Sequence, residues 1–383
     1  MESMEMDVEE AVTIPKPDSF KRCGLKSTIQ TNFGDDYVFQ ITSKDDWSLM
    51  AVSLSTNYLK LYSPTTGHYL GECKGHTSNV NDISFSDNSN ILHSCSSDGS
   101  LRSWDTRSFQ QVSCLNTGPS QEIFSFSFGG TSGNLVAAGT KSEIFFWDWR
   151  TRKQVACLED SHIDDVTQVH FIPGVDNRLV SASMDGLICN FDTSGNINDE
   201  DHLESVINIG TSIARVGFLG EKLWCLTHIE TLSVWDWKDG SNVVLFEDAR
   251  SLASNKWSLD QVDYFVDCHY SKEDDCLWAI GGTNGGTLGY FPVSYGGSGA
   301  IGSPEAVLQG GHTGVVRTIL PMSGRSASQI DNGSILGWTG GEDGRLCCWL
   351  SDKSSDSITS SWISSGLPIK SSKDRRIKRH QPY

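Results

Sequence analysis

A histidine, a hydroxyl residue and an aspartate recur in one order along this chain, and together they could perform nucleophilic chemistry. His76, Ser94 and Asp98 form the first such set. In a serine hydrolase, the histidine takes the proton of a serine hydroxyl while the aspartate orients the imidazole ring. Here the set occurs three times, and an aromatic residue follows each aspartate by six positions. A recurring set favours a structural chain of hydrogen bonds over a catalytic triad.

The three copies share their internal spacing. The hydroxyl residue precedes its aspartate by four positions, whereas the histidine precedes it by 22, 23 and 31. The longest interval contains a polar insert at residues 325–333, which we interpret as a long loop. Phe191 ends the second copy, and its side chain has no N–H group, so that copy lacks the last hydrogen-bond donor. The predicted members are His76, Ser94, Asp98 and Trp104, then His162, Ser181 and Asp185, then His312, Thr339, Asp343 and Trp349.

Short β-strands must position these residues. In each copy the histidine precedes an alternating strand, the aspartate lies in an Asp-Gly turn, and the aromatic residue ends the next strand. Four weaker copies of the pattern lie between the three clear ones, which makes seven units in all. The 315 residues from 37 to 351 correspond to 45 per unit, the length of a propeller blade. The weaker copies lie at residues 37–72, 120–158, 211–247 and 260–308.

This periodicity predicts an all-β fold, a seven-bladed propeller with a short disordered acidic N-terminal arm and a basic C-terminal tail. The arm is assigned to residues 1–22, the propeller to 23–365 and the tail to 366–383. Residues 23–33 and 358–363 both qualify as the strand that closes the ring, and the sequence does not decide between them. The predicted blades lie at about 37–72, 75–114, 118–158, 161–207, 209–248, 260–308 and 311–363.

Composition excludes several classes of function. The formal net charge is −18, from 30 basic and 48 acidic residues, so no strong signal for nucleic-acid binding exists outside the tail. The eleven cysteines lack zinc-type spacing, and we expect neither metal nor cofactor. They favour reduced thiols inside a cell. Because no signal peptide or membrane-length apolar run is present, we expect a protein of the nucleus, the cytoplasm or both, away from membranes.

The tail at residues 366–383 has the opposite charge to the rest of the chain. Such a run is typical of a nuclear-import signal or of a tail that binds RNA or acidic partners. A solvated tail that carries no targeting signal explains the basic run equally well, and both interpretations stay open. Its basic residues are Lys370, Lys373, Arg375, Arg376, Lys378 and Arg379, against the single Asp374.

The repeats resemble those of the WD40-repeat family over about 315 of the 383 residues. The resemblance implies a seven-bladed WD40 propeller that holds other proteins together without catalysing a reaction. It is carried by the GH…D…W pattern and by the Trp-Asp dipeptides at 104–105, 147–148 and 235–236. Residues 161–171, 223–237, 276–291 and 308–349 resemble one subgroup of that family.

The first candidate surface for a protein partner carries two adjacent acids. Asp164 and Asp165 follow His162 by two and three positions and should stand at the rim of the central channel. Beside Met184 and Glu342, they would favour a partner segment that bears Lys or Arg. The alternative is that one of the two aspartates only caps the turn that follows it.

The second candidate surface comes from a further resemblance. Residues 94–107 are similar to the motif with which substrate receptors of cullin-RING ubiquitin ligases dock on their adaptor, and residues 147–150 match it in part. This resemblance implies that the chain is such a substrate receptor. The surface that docks on the adaptor would lie on the face opposite to Asp164. The docking residues would be Asp105, Arg107, Asp148 and Arg150.

Overall fold

The computed structural model describes residues 21–30, 36–86, 90–118, 121–159, 161–195, 197, 202–272, 275–321 and 335–350. Regular structure in these ranges is almost entirely β-sheet, with one short helix, α1 (Ala249–Ser254). No described helix has the length and apolar character needed to cross a membrane. Four predicted features lie outside the described residues: the acidic arm as far as residue 20, the insert at 325–333, the segment 358–363 and the tail 366–383.

Five antiparallel sheets have four strands each, paired in chain order. We number them units 1 to 5. The second strand of each is buried almost throughout, as in Met50–Leu54, because neighbouring units cover both faces of the sheet. Unit 1 comprises β2 (Val38–Ser43), β3 (Met50–Leu54), β4 (Leu59–Tyr62) and β5 (Tyr69–Cys73). Unit 2 comprises β6 (Val80–Phe85), β7 (Ile91–Ser96), β8 (Ser100–Asp105) and β9 (Gln110–Asn116).

Units 3 to 5 repeat this arrangement. Unit 3 comprises β10 (Ser125–Gly129), β11 (Leu135–Gly139), β12 (Ile144–Asp148) and β13 (Lys153–Leu158). Unit 4 comprises β14 (Gln168–Phe171), β15 (Arg178–Ala182), β16 (Leu187–Asp192) and β17 (Leu203–Asn208). Unit 5 comprises β18 (Ile213–Leu219), β19 (Lys222–Thr227), β20 (Leu232–Asp236) and β21 (Asn242–Phe246).

The remaining strands form one nine-stranded sheet. Its first part, unit 6, contains β22 (Tyr264–Ser271), β23 (Cys276–Gly282), β24 (Leu288–Ser294), β25 (Ala300–Ile301) and β26 (Ala306–Leu308). Its second part, unit 7, contains β27 (Val316–Pro321), β28 (Ile335–Gly341) and β29 (Arg345–Leu350).

Strand β1 (Lys21–Gln30) joins units 6 and 7. Its first three residues pair in parallel with β26, and residues from Gly24 onward pair antiparallel with β29. It occupies the place for which the sequence offers residues 23–33. The strand begins two residues earlier than that segment because Lys21 and Arg22 pair with Ala306 and Val307.

Side-chain hydrogen bonds connect the first strands of consecutive units in cyclic order. Each unit after the first is bonded to the one before it, and unit 7 is bonded back to unit 1. This closed succession is that of a propeller, and the number of seven blades stays a prediction. The bonded pairs are Gln40 with Ile83, Asp82 with Phe126, Ser125 with Val169, Gln168 with Val216, Arg215 with Asp267, Tyr264 with Val316, and Thr318 with Ile41.

The cysteines contribute to the apolar packing between units. All eleven are free thiols, and most are buried. Burial raises the pKa of Cys347 and Cys348 to about 12, so both stay protonated at neutral pH and are poor nucleophiles or metal ligands. Among the described residues, no three side chains of the metal-ligating types are grouped.

His170 on β14 carries a buried ring nitrogen, Nε2, that has no hydrogen-bond partner among the described residues. Burial lowers the pKa of His170 to about 4, below its ordinary value of 6.5. The folded state therefore binds this proton less well than the unfolded state, and stability is lost as the pH falls from 6.5 toward 4.

We expect His170→Phe to change the free energy of unfolding at pH 7 by less than about 1 kcal/mol, or to raise it, because an unsatisfied polar atom is removed. Its ring can keep the edge-to-face contact with Phe218. The loss of stability between pH 6.5 and pH 4 should be shallower than in the wild type. Urea denaturation across that range measures both effects, and equal losses in the two proteins would contradict the assignment.

Candidate functional site

The first predicted set forms a continuous chain of hydrogen bonds in unit 2. His76 Nδ1 lies 3.0 Å from Asp98 Oδ2, and His76 Nε2 lies 2.7 Å from Ser94 Oγ. Trp104 Nε1 donates to the same Ser94 Oγ at 2.8 Å. With the proton on Nδ1, the histidine donates to the aspartate and accepts from the serine, so every polar group in the chain is paired.

The two other copies repeat this geometry. In unit 4, His162 contacts Asp185 at 3.0 Å and Ser181 at 2.7 Å, and the chain ends there because Phe191 has no donor. In unit 7, His312 lies 3.0 Å from Asp343 and 2.7 Å from Thr339, and Trp349 Nε1 donates to Thr339 at 2.7 Å. All eleven predicted members are thus brought together in three sets. Each set ties a loop and a turn to the second strand of its unit, and in units 2 and 7 the tryptophan adds the third strand.

The turns that hold the aspartates share one backbone conformation. Gly99, Gly186 and Gly344 follow the three aspartates with φ of +75°, +83° and +68°, a region that a residue with a side chain rarely adopts. These turns and the histidine loops lie at the same end of the sheets, which we call the His-Asp face. The turns after the third strands lie at the other end, because neighbouring strands are antiparallel.

Hydrogen bonds keep the aspartates ionised. Burial alone would raise the pKa of Asp98, but hydrogen bonds from His76, Ser100 and the Thr77 N–H outweigh it and lower the pKa below 3.8. Burial disfavours the charged form of His162 and so lowers its pKa. Asp185 opposes this shift without reversing it, and the ring stays neutral at pH 7.

The geometry argues against nucleophilic catalysis. A nucleophile must reach its substrate, yet Ser94 is 0% exposed and its oxygen already contacts two neighbouring side chains. Ser181 and Thr339 are buried to the same extent. The three sets are internal ties between strands, and a binding role must be sought on the surface above them.

On the His-Asp face, Asp164 is exposed and Asp165 half-buried. Asp164 Oδ1 accepts the Asp165 N–H at 2.8 Å, so the first acid does cap its neighbour with one oxygen. Neither carboxylate makes an ion pair within the part of the chain that the structure describes. Burial, Asp164 and Glu122 raise the pKa of Asp165 and outweigh Lys141, which lowers it, so negative charge predominates here.

Met184 lies directly beside the two acids. Its N–H donates to the Asp165 carbonyl at 2.9 Å, and its side chain is partly exposed. The equivalent bonds in units 2 and 7 run from Ser97 to Asn79 and from Glu342 to Val315. The position of Asp165 is therefore the same in all three units, and unit 4 fills it with an acid.

Glu342 does not join this cluster. The sequence interpretation placed it beside Asp164 and Asp165, but it belongs to unit 7, and no described hydrogen bond or ion pair connects it to either acid. Its carboxylate instead pairs with the Arg317 guanidinium. The interpretation was wrong because positions that are equivalent in two repeats lie on different blades.

Two exposed apolar residues were missed. Ile163 is 91% exposed, although its N–H donates to Asp185 at 3.1 Å, and Ile229 in the turn between β19 and β20 is 64% exposed. A signal was present in the sequence: the residue after the histidine is Thr77 in unit 2 and Thr313 in unit 7. An isoleucine at this polar, repeated position is the departure that needs an explanation.

The second candidate surface lies on the opposite face. The Arg107 side chain is 73% exposed, and its guanidinium makes two hydrogen bonds to Asp105, at 3.2 and 2.8 Å. Arg150 is also exposed, whereas Asp148 accepts the Thr151 N–H at 2.9 Å. The structure thus places both arginines at the surface, but the guanidinium of Arg107 is already bonded to the carboxylate of Asp105.

Comparison with known proteins finds similarity to WD repeat proteins in each case. The family model described as "WD domain, G-beta repeat" matches residues 67–105. WD repeat-containing protein GTS1 of Arabidopsis thaliana is 59% identical over 370 residues, which cover 95% of this chain and 93% of that protein. A WD repeat-containing protein 89 homolog of Dictyostelium discoideum is 30% identical over 297 residues, 75% of this chain and 78% of that protein.

Proposed function

Because this chain belongs to the family of WD40 repeat proteins, we propose that it is a scaffold in the manner of WD repeat-containing protein 89, and that it binds partners through the His-Asp face of unit 4. WD40 domains mediate interactions between proteins, and proteins of this family are typically not enzymes. Nuclear residence depends on the basic segment 366–383 alone and stays a prediction.

The single observation that carries the proposal is the pair of acids at Asp164 and Asp165. Both belong to a loop at the surface, and neither makes an ion pair among the described residues; the nearby Lys141 pairs with Glu122 instead. A Lys or Arg of another protein can satisfy such a carboxylate with charge-assisted hydrogen bonds. The net charge of −18 adds a long-range attraction for a basic partner, which accelerates encounter.

Charge reversal tests this surface. We expect Asp164→Lys with Asp165→Lys to reduce the amounts of the main co-purifying proteins by about tenfold, because close charge pairs at interfaces commonly contribute more than 1.4 kcal/mol. The measurement is quantitative mass spectrometry after affinity purification of the full chain. Urea denaturation of both proteins shows whether the variant is still folded. An unchanged set of co-purifying proteins would contradict the proposal.

The matched control lies on the other face. Arg107→Ala with Arg150→Ala should leave the same set of proteins bound. This control also tests the receptor function that the resemblance of residues 94–107 implies, which the exposure of both arginines favours. Loss of the cullin-RING ligase adaptor in the control variant would establish that alternative, and adaptor binding that persists without both arginines would exclude it. It is the weaker candidate because Asp105 competes for the Arg107 guanidinium.

A further inference from the structure

Three exposed apolar side chains belong to hydrogen-bonded loops of the His-Asp face, and we name Ile163, Met184 and Ile229 the apolar patch. Their exposed fractions are 91%, 39% and 64%. A single exposed apolar residue is ordinary on a protein surface, whereas neighbouring ones that no structural role explains mark an interaction site.

Hydrogen bonds of the backbone connect the loops that carry the patch, across units 4 and 5. The Ile163 loop is tied to the turn of Met184 through Asp185 and Asp165. That turn contacts unit 5 through the bond from the Ile213 N–H to the Ser183 carbonyl at 3.3 Å. The His228 N–H in turn donates to Ser212 at 3.0 Å, which brings the turn of Ile229 to the same edge.

The repeats of the molecule supply an internal comparison. Thr77 and Thr313 occupy the position of Ile163, and their N–H groups make the same bond to the aspartate of the unit. Ser97 and Glu342 occupy the position of Met184, with the same backbone bond. The fold is therefore satisfied by polar residues at both positions, and the apolar ones in unit 4 serve something other than folding.

Acids flank the patch. Asp164 and Asp165 lie between Ile163 and the Met184 turn, and Glu230 follows Ile229. The Glu230 carboxylate accepts the Phe265 N–H at 2.7 Å, and Glu122 pairs with Lys141 at 3.7 Å. Only Asp164 and Asp165 of these acids thus offer carboxylates that no described side chain uses.

We propose that the apolar patch binds a short exposed segment of another protein in which one or two bulky apolar side chains stand next to Lys or Arg. The apolar side chains cover Ile163, Met184 and Ile229, and the cation pairs with Asp164 or Asp165. This inference rests on the proposed function and adds to it the partner's apolar anchor. An apolar centre with a charged rim is the usual anatomy of a specific interface.

The experiment selects peptides from a phage-displayed library of random dodecapeptides on the full chain. The test variant combines Ile163→Thr, Met184→Ser and Ile229→Thr, which places at the first two positions residues that other units already hold there. The matched control combines Val206→Ser with Leu245→Ser, two exposed apolar residues on the outer strands of units 4 and 5. Kd values of synthetic versions of the selected peptides are then measured by fluorescence anisotropy.

We expect enriched peptides to carry a bulky apolar residue next to Lys or Arg. Their affinity should fall at least about tenfold on the test variant and stay unchanged on the control. Absence of enrichment, or equal affinity for the test variant, would overturn the inference.

The outcome also separates this inference from the proposed function. The selected peptides could bind less tightly to a variant with Asp164→Asn and Asp165→Asn but equally well to the test variant. That result would contradict the inference and leave the proposed function intact. A further variant of the full chain replaces the six basic residues of the tail with Gln. Binding that appears only in that variant would make segment 366–383 the occupant of the patch and would likewise overturn the proposal.

Discussion

Removal of residues 1–30 is expected to abolish cooperative unfolding, with a loss of at least about 5 kcal/mol, which is the whole stability of many domains. The deletion takes away β1, which pairs with β26 and β29 at once. Unit 7 is left with three strands, and the backbone groups of β29 that pair with β1 lose their partners, while those that pair with β28 keep them. Cys23 also leaves the apolar packing between units 6 and 7, and Ile29 leaves that between units 7 and 1. Urea denaturation followed by tryptophan fluorescence measures the effect.

The matched control is a deletion that stops at residue 20, just before β1. We expect it to unfold with the wild-type midpoint and slope. A peptide that corresponds to residues 21–30 should restore a cooperative unfolding transition to the longer deletion in a concentration-dependent way, because it binds only the folded state. If the two deletions are equally stable, β1 does not close the ring.

Trp104→Ala is expected to cost about 3–5 kcal/mol, the second large effect, because it leaves a cavity in a fully buried site. Trp104→Phe should cost only about 1–3 kcal/mol, since it keeps most of the apolar volume and removes one donor. The lost bond is the one from Trp104 Nε1 to Ser94 Oγ. Chemical denaturation at pH 7 gives both values.

A double-mutant cycle separates the hydrogen bond from packing. Ser94→Ala and Trp104→Phe should show a coupling energy of about 1 kcal/mol. Unit 4 provides the control, because Phe191 has no N–H to give to Ser181. Ser181→Ala should therefore show no comparable coupling with Phe191→Leu. Equal coupling in the two units would mean that the indole bond contributes nothing to stability.

The ties between strands could be predicted from sequence because they are local to one repeat. Asp98 and Trp104 are six residues apart, and the turn between two paired strands fixes where both side chains go. His76 is more distant, but it enters the same unit just before its first strand. A spacing shared by three copies is then enough to assign the hydrogen-bond partners.

The surface could be predicted only in part, because it depends on how the units are arranged around the ring. Asp164 and Met184 belong to one unit and were placed together, whereas Glu342 belongs to another and was misplaced. An isoleucine in the sequence suggests a core position, and only the comparison with Thr77 and Thr313 hints at the exposure of Ile163, whereas nothing comparable marks Ile229. Helix α1 was also missed, since six residues hold too little periodicity to be recognised.

The double pairing of β1 has a consequence for how the protein is made. Ribosomes synthesise β1 first and both of its partners near the end, at about 5–20 residues per second. The first strand therefore waits roughly 15 to 60 s before β29 exists. During translation the earlier blades can assemble one upon another, but the ring stays open and its two terminal edges are exposed to other nascent chains. A chaperone that covers these edges would act on the growing polypeptide until the last blade is complete.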